Sequence, residues 1–177
     1  VKVGWVLRDM MQSSGVWTFD EHQLVEFAAL AAKAGFSHLE IGGGQSYQIA
    51  LSNHCNPYHL IRAVKQQVDQ LNAVLPLQVL VRGANQFGFH HFSPAVQRQN
   101  IDLLVDAGGD TDKNRAIIIR VFDALNDIEN LRYSISYLIE KNKKSEVQGE
   151  KLAHLQVALS YVSVSYTHLR AHETTCD

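Results

Sequence analysis

Residues 3–12, VGWVL followed by RDMMQ, decide the fold. A short apolar run of this kind is the length of a strand buried on both faces. It stops abruptly at the charged pair Arg8 and Asp9. In a doubly wound open sheet the first strand should feed a glycine-rich phosphate turn. Arg8-Asp9-Met10-Met11-Gln12 contains no glycine. In an eight-fold barrel, by contrast, polar residues at the C-terminal ends of several strands build the site, and a charged pair belongs where this one stands.

Working outward, the same unit recurs. Residues 20–34 place Leu24, Phe27, Ala28, Ala31 and Ala34 at helical spacing, with Thr18 or Asp20 able to cap the first turn and Gly35 to end it. SHLEI, residues 37–41, reads as a second strand running into Gly42, Gly43 and Gly44. A helix after Pro57 carries Leu60, Ile61, Val64, Val68 and Leu71 on one face. PLQVLV, residues 76–81, is a third strand ended by Arg82 and Gly83. Pro94 opens a helix with Val96, Ile101, Leu104 and Val105, and AIIIRVF, residues 116–122, is a fourth strand. Residues 128–140 form a helix with Leu131, Ile135, Leu138 and Ile139, and LQVALSY, residues 155–161, is a fifth strand.

Apolar strands alternating with amphipathic helices predict a parallel sheet covered by helices. The predicted fold class is α/β: about five β/α units forming the N-terminal portion of a TIM (β/α)8 barrel. Five strands do not close an eight-stranded barrel, and an open apolar edge invites aggregation. The rest of the barrel, or a partner chain, is therefore expected beyond this sequence.

Bulk composition narrows the function classes. A chain of 177 residues with a formal net charge of −2 carries no basic footprint for nucleic acid. No apolar run reaches the roughly 18 residues of a membrane span, and the first residues lack a signal-peptide pattern. Cys55 and Cys176 are too few for a disulfide framework, so a reduced, cytoplasmic setting is the expectation.

Four segments can carry chemistry. Asp9 at a strand end can bind a divalent cation, and Arg8 can hold a carboxylate by two parallel hydrogen bonds, although an Arg-Asp pair also reads as a surface ion pair. Gln12 adds a neutral hydrogen-bonding group one turn on. Glu40 lies within a buried strand, which is costly unless it is paired or bound to a cation, and the glycines after it allow close backbone approach or form a flexible loop. Arg82 can bind an anion or a ureido oxygen, or pair with Glu40 or Asp123. Asp123 points to the barrel mouth by the same logic as Asp9, while Asp127 suits the cap of the following helix. His90 and His91 are adjacent and face opposite ways in an extended segment, the loop of Asp106, Asp110 and Asp112 resembles a cation loop weakly and reads rather as a solvated turn, and Cys55 has no visible base beside it.

Together LRDMMQS (residues 7–13), AGFSHLEIGGG (34–44), NPYHLIR (56–62), PLQVLVRGAN (76–85) and RVFDALND (120–127) resemble the carboxyltransferase domain of pyruvate carboxylase and the α-subunit of oxaloacetate decarboxylase. The resemblance runs from about Val6 to about Tyr161. It implies transfer of a carboxyl group between carboxybiotin and pyruvate, as pyruvate carboxylation or oxaloacetate decarboxylation. It implies that Asp9 binds a divalent metal of the zinc, manganese or cobalt type. Arg8, Gln12 and Arg82 would be catalytic, and these with Glu40 and Asp123 would surround pyruvate and biotin. Biotin itself would be carried by a separate domain or subunit, and a biotin carboxyl carrier and a biotin carboxylase would be partners in a homo-oligomeric parent enzyme. Phe89 stands where the family usually has tyrosine, Gln48 where it usually has aspartate, and residues 109–115 make a longer loop. The family's remaining metal ligands and its proton-shuttling threonine lie on later strands. The expectation is therefore a partial barrel over residues 1–162, incapable of turnover alone, followed by a non-family tail at 163–177 that is artefactual or disordered. Two alternatives stand beside it: a metal-dependent acyl-CoA lyase or synthase of aldol type, and a truncated, non-catalytic homologue that binds a partner.

Overall fold

The computed structural model describes residues 2–9 and 21–160. Five strands, β1 (Trp5–Val6), β2 (Leu39–Gly42), β3 (Leu77–Val81), β4 (Ile117–Asp123) and β5 (Ala153–Leu159), form one sheet in sequential order. Every neighbouring pair is parallel. A doubly wound sheet reverses its strand order at a switch point. Here each new strand is added to the same edge, which is how a barrel winds.

The crossovers are α1 (Glu21–Ala34), α2 (Gly44–Ser52), α3 (Pro57–Gln70), α4 (Pro94–Gly108) and α5 (Ile128–Gln148). Asn56 caps α3 by accepting from the Tyr58 amide at 3.0 Å, and Asp127 caps α5 by accepting from the Glu129 amide at 2.9 Å, as its position suggested. Among the described residues no helix is long and apolar enough to cross a membrane. Gln12, the Thr18 or Asp20 cap, and the tail at 163–177 lie outside the described residues.

The period of two in β4 sorts the sheet's faces. Ile117, Ile119 and Val121 are fully buried and join Val64, Val68, Ile101 and Leu104 in the layer between sheet and helices. Ile118, Arg120 and Phe122 alternate with them and are only half buried, because they face the barrel interior. Glu40 and Gln78, paired in register across β2 and β3, occupy the same inner face. A packed outer layer thus holds a polar inner one.

Three local readings change. The first strand is shorter than its apolar run, and residues 7–9 take helical backbone, so Arg8 and Asp9 sit on a turn at the end of β1. The glycine run does not lead into a loop: α2 starts at Gly44. The Ser46 hydroxyl accepts from the Gly43 amide at 2.9 Å and donates to the Gly43 carbonyl at 2.7 Å, closing the first turn that glycine would leave open. β5 begins at Ala153, two residues before the predicted run. The Asn142 side chain grips both polar groups of Ala153, donating to its carbonyl at 2.7 Å and accepting from its amide at 3.2 Å.

Candidate active site

The strand ends of β1, β2 and β3 bring Arg8, Glu40 and Arg82 to one mouth. Glu40 is 1% exposed, and a carboxyl group buried to that degree is costly without partners. Arg8 Nε donates to its Oε1 at 2.7 Å, Gln78 Nε2 donates to Oε2, and Arg120 Nη1 lies 3.6 Å from Oε2. Arg120 also donates through Nε to Gln156 Oε1 at 2.8 Å, tying β4 to β5. Glu40 is therefore the anchor of an inner-face network, and its direct partner is Arg8.

Arg82 is different. Among the described residues it makes no ion pair. Its Nη1 donates to the Gly88 carbonyl at 3.1 Å, and its guanidinium lies 5.2 Å from the centre of the Phe89 ring. Burial, and then the positive charge of Arg8, hold its guanidinium below the usual arginine range. Two cations are thus close enough to repel, with Glu40 committed to one of them. Such a pair is an incipient anion site.

The glycine run makes room for this. A Cβ on Gly43 would meet Arg8 Cδ at 2.7 Å, and one on Gly44 would run into the Arg82 guanidinium. The consecutive glycines let two arginine side chains lie against the start of α2.

Asp9 is 56% exposed in its side chain, with Arg8 Nη2 at 3.7 Å. Among the described residues no group of three or more His, Cys, Asp and Glu side chains is placed to hold a metal ion. One carboxylate does not make a metal centre, so the described residues alone do not fit one. Asp123 serves its own loop: Oδ2 accepts from the amides of Leu125 at 2.9 Å and Asp127 at 3.0 Å, and Oδ1 from Asn130 at 3.3 Å. Burial pushes its carboxyl up, but these donors and the charge of His91 outweigh it, and the net shift is downward.

Arg120 and Gln78 carried no assigned role in the sequence reading. Their signal was present: a lone polar residue at an inward position of an otherwise apolar strand, as in LQVLV and IIIRVFD. The pKa of His38, near Arg120, is lowered. Burial is the first cause of that lowered pKa and the Arg120 charge the second, against the raising effect of Glu40.

A parallel barrel segment with a basic strand-end mouth defines the class of the molecule, and known proteins resemble it over most of its length. No family model matches the chain. It is 28% identical over 166 residues to a pyruvate carboxylase subunit from Methanothermobacter thermautotrophicus, covering 93% of this chain and 26% of that protein. It is 27% identical over 143 residues to the methylmalonyl-CoA carboxyltransferase 5S subunit of Propionibacterium freudenreichii subsp. shermanii, covering 80% of this chain and 26% of that one. The carboxyl transferase domain of Rhizobium etli pyruvate carboxylase, solved with pyruvate and biocytin, superposes with a TM-score of 0.71 at 21% identity, over 95% of this chain and 26% of that chain. The chain is thus similar over most of its length to the pyruvate carboxylase carboxyltransferase domain, and shares its fold. It spans about a quarter of the length of the curated relatives it matches, 26% and 24% for the first two.

Proposed function

We propose that this chain forms the pyruvate-side wall of a biotin-dependent carboxyltransferase, in which a carboxyl group passes between carboxybiotin and pyruvate. The observation that carries the reading is Arg82, a guanidinium without an acidic partner among the described residues, lying beside an Arg8 that Glu40 already holds. Carboxybiotin, carried on a separate domain or subunit, would supply or accept the carboxyl group. Both the pyruvate carboxylate and the enolate that takes up the new carboxyl group are anionic. Fixed guanidiniums aimed at those oxygens stabilise the charge as it develops.

In this reading Glu40 orients Arg8, and Arg82 supplies the positive charge that is not already neutralised. Asp123 shapes the loop between β4 and α5 and has little acceptor capacity left for a substrate donor. Asp9 is one ligand of a divalent cation whose other ligands come from outside the described residues.

The test is titration of the purified chain with oxamate, which copies the planar 2-oxo acid of pyruvate, against acetate as a plain carboxylate. Oxamate should bind saturably and more tightly than acetate, weaken with added salt, and lose about tenfold in affinity in Arg82→Ala, the effect of one lost charged hydrogen bond. Binding that ignores Arg82, or no preference for oxamate over acetate, would count against the assignment.

A further inference from the structure

We propose that Gln86 is a positioning residue for Arg82, held in an unfavourable backbone conformation by a buried chain of amides and hydroxyls that crosses three helices. The proposal rests on the carboxyltransferase reading for what Arg82 does, and on the structure for what holds it there.

Arg82 ends β3 and opens a loop that runs through a short 3-10 turn (Gly83–Asn85). Its main chain is pinned by Gln86 in both directions: the Arg82 amide donates to the Gln86 carbonyl at 2.9 Å, and the Gln86 amide donates back to the Arg82 carbonyl at 3.1 Å. Gln86 reaches this position at φ 50 and ψ −103, a conformation that a residue with a Cβ rarely adopts. Something must hold it there.

The holding group is its own side chain, which is fully buried. Gln86 Nε2 donates to the Gly83 carbonyl at 2.6 Å and to Ser134 Oγ on α5 at 2.9 Å, and its Oε1 accepts from Asn100 Nδ2 on α4 at 2.8 Å. The chain continues at both ends. Tyr58 of α3 donates its hydroxyl to Asn100 Oδ1 at 2.7 Å, and Ser134 donates to Gln97 Oε1 at 3.3 Å. Gln97 Nε2 then donates to the Phe92 carbonyl at 2.9 Å, returning to the far end of the same loop.

Every side-chain nitrogen and oxygen in this path has at least one partner, the condition under which a buried polar network rigidifies rather than destabilises. Its two anchor points in the loop, Gln86 and Phe92, bracket Gly88 and Phe89, two residues that touch the Arg82 guanidinium. The network therefore fixes both the backbone of Arg82 and the surface on which its guanidinium rests.

The deciding experiment follows amide hydrogen exchange and oxamate affinity in the full chain for wild type, Gln86→Leu and Ser134→Ala. In Gln86→Leu, protection of the Arg82 and Gln86 amides should fall about tenfold or more, the scale of one lost buried hydrogen bond, while core amides such as Ile119 keep theirs. Oxamate affinity should fall by a similar factor, and in an Arg82→Ala background the same substitution should cost no further affinity. Should Gln86→Leu not fold, Ser134→Ala removes one partner, leaves the Gln86 backbone alone, and should loosen the same two amides. Equal protection in wild type and variants overturns the proposal, as does an affinity that stays constant while the loop loosens. If the wild-type chain binds no oxamate, the carboxyltransferase reading fails, and the exchange pattern still decides whether Gln86 holds Arg82.

Discussion

Arg8 Nε and Glu40 Oε1 meet at 2.7 Å across the ends of β1 and β2, with the Glu40 side chain 2% exposed and that of Arg8 14%. The pair is buried enough that removing Glu40 takes a buried acceptor from both Arg8 and Gln78. Glu40→Leu should therefore destabilise the chain by about 3–5 kcal/mol, the usual result of breaking a buried pair. Glu40→Gln, which can still accept from Arg8, should cost less. Urea denaturation of the three proteins checks the order, and a Leu variant as stable as wild type would show that Glu40 is not the anchor of the inner-face network.

Phe89 is 79% exposed, yet its ring lies under the Arg82 guanidinium at 5.2 Å. An exposed aromatic contributes little to folding, whereas an exposed cation–π contact is worth about 0.5–1 kcal/mol. Phe89→Ala should lower stability by no more than about 0.5–1 kcal/mol and weaken oxamate binding by roughly two- to fivefold through a less fixed Arg82. Calorimetric titration beside a melting curve separates the two effects. A drop in stability without a drop in affinity would move Phe89 from the site to the core.

Much of this architecture was legible before any coordinates, and the reasons are local. Strands β3 and β4 are apolar runs closed by Arg82 and Asp123, so both their existence and the position of their polar ends followed from pattern. What pattern could not convey was which charge meets which. Glu40 chose Arg8 and Arg120 rather than Arg82, and Asp123 turned to its own loop, because partner choice depends on how strand ends converge in space. Helix α2 was hidden by three glycines whose low helix propensity is overridden by Ser46 and by the packing of Tyr47 and Ala50. Gln86, Gln97, Asn100 and Ser134 carried no assigned role in the sequence reading, and all four are buried. Only their mutual satisfaction makes that possible.

At the opposite end of the strands, the buried Lys65 ammonium pairs with Asp69 at 2.6 Å and Asp110 at 2.7 Å, and Arg115 reaches both carboxylates. Burial pushes the Asp110 carboxyl up. The hydrogen bond from Lys65, the Asp112 amide and the charges of Lys65 and Arg115 outweigh it, and the folded pKa lies below the ordinary value. A carboxyl depressed in the folded state adds stability above its unfolded pKa, near 4, and loses it as pH falls through the lower folded value. Asp110→Asn should therefore be less stable than wild type at neutral pH, with the gap closing below about pH 4. Denaturation series at several pH values read this directly, and a gap that is constant across the range would remove the linkage.

Gly44 opens α2 directly against Arg82, so that a Cβ there would occupy the guanidinium's place. Two effects oppose each other in Gly44→Ala. Alanine favours a helix over glycine by about 0.5–1 kcal/mol, and the obstructing group is the far end of a long side chain that can swing aside at little cost. Stability should therefore hold or rise slightly. The displaced guanidinium, however, no longer lies beside Arg8, and oxamate affinity should fall about tenfold, close to the loss in Arg82→Ala. A variant that melts higher and binds worse would show that this glycine is kept for the anion site rather than for the helix. One that binds as tightly as wild type would mean that Arg82 has room to reach its ligand from another direction.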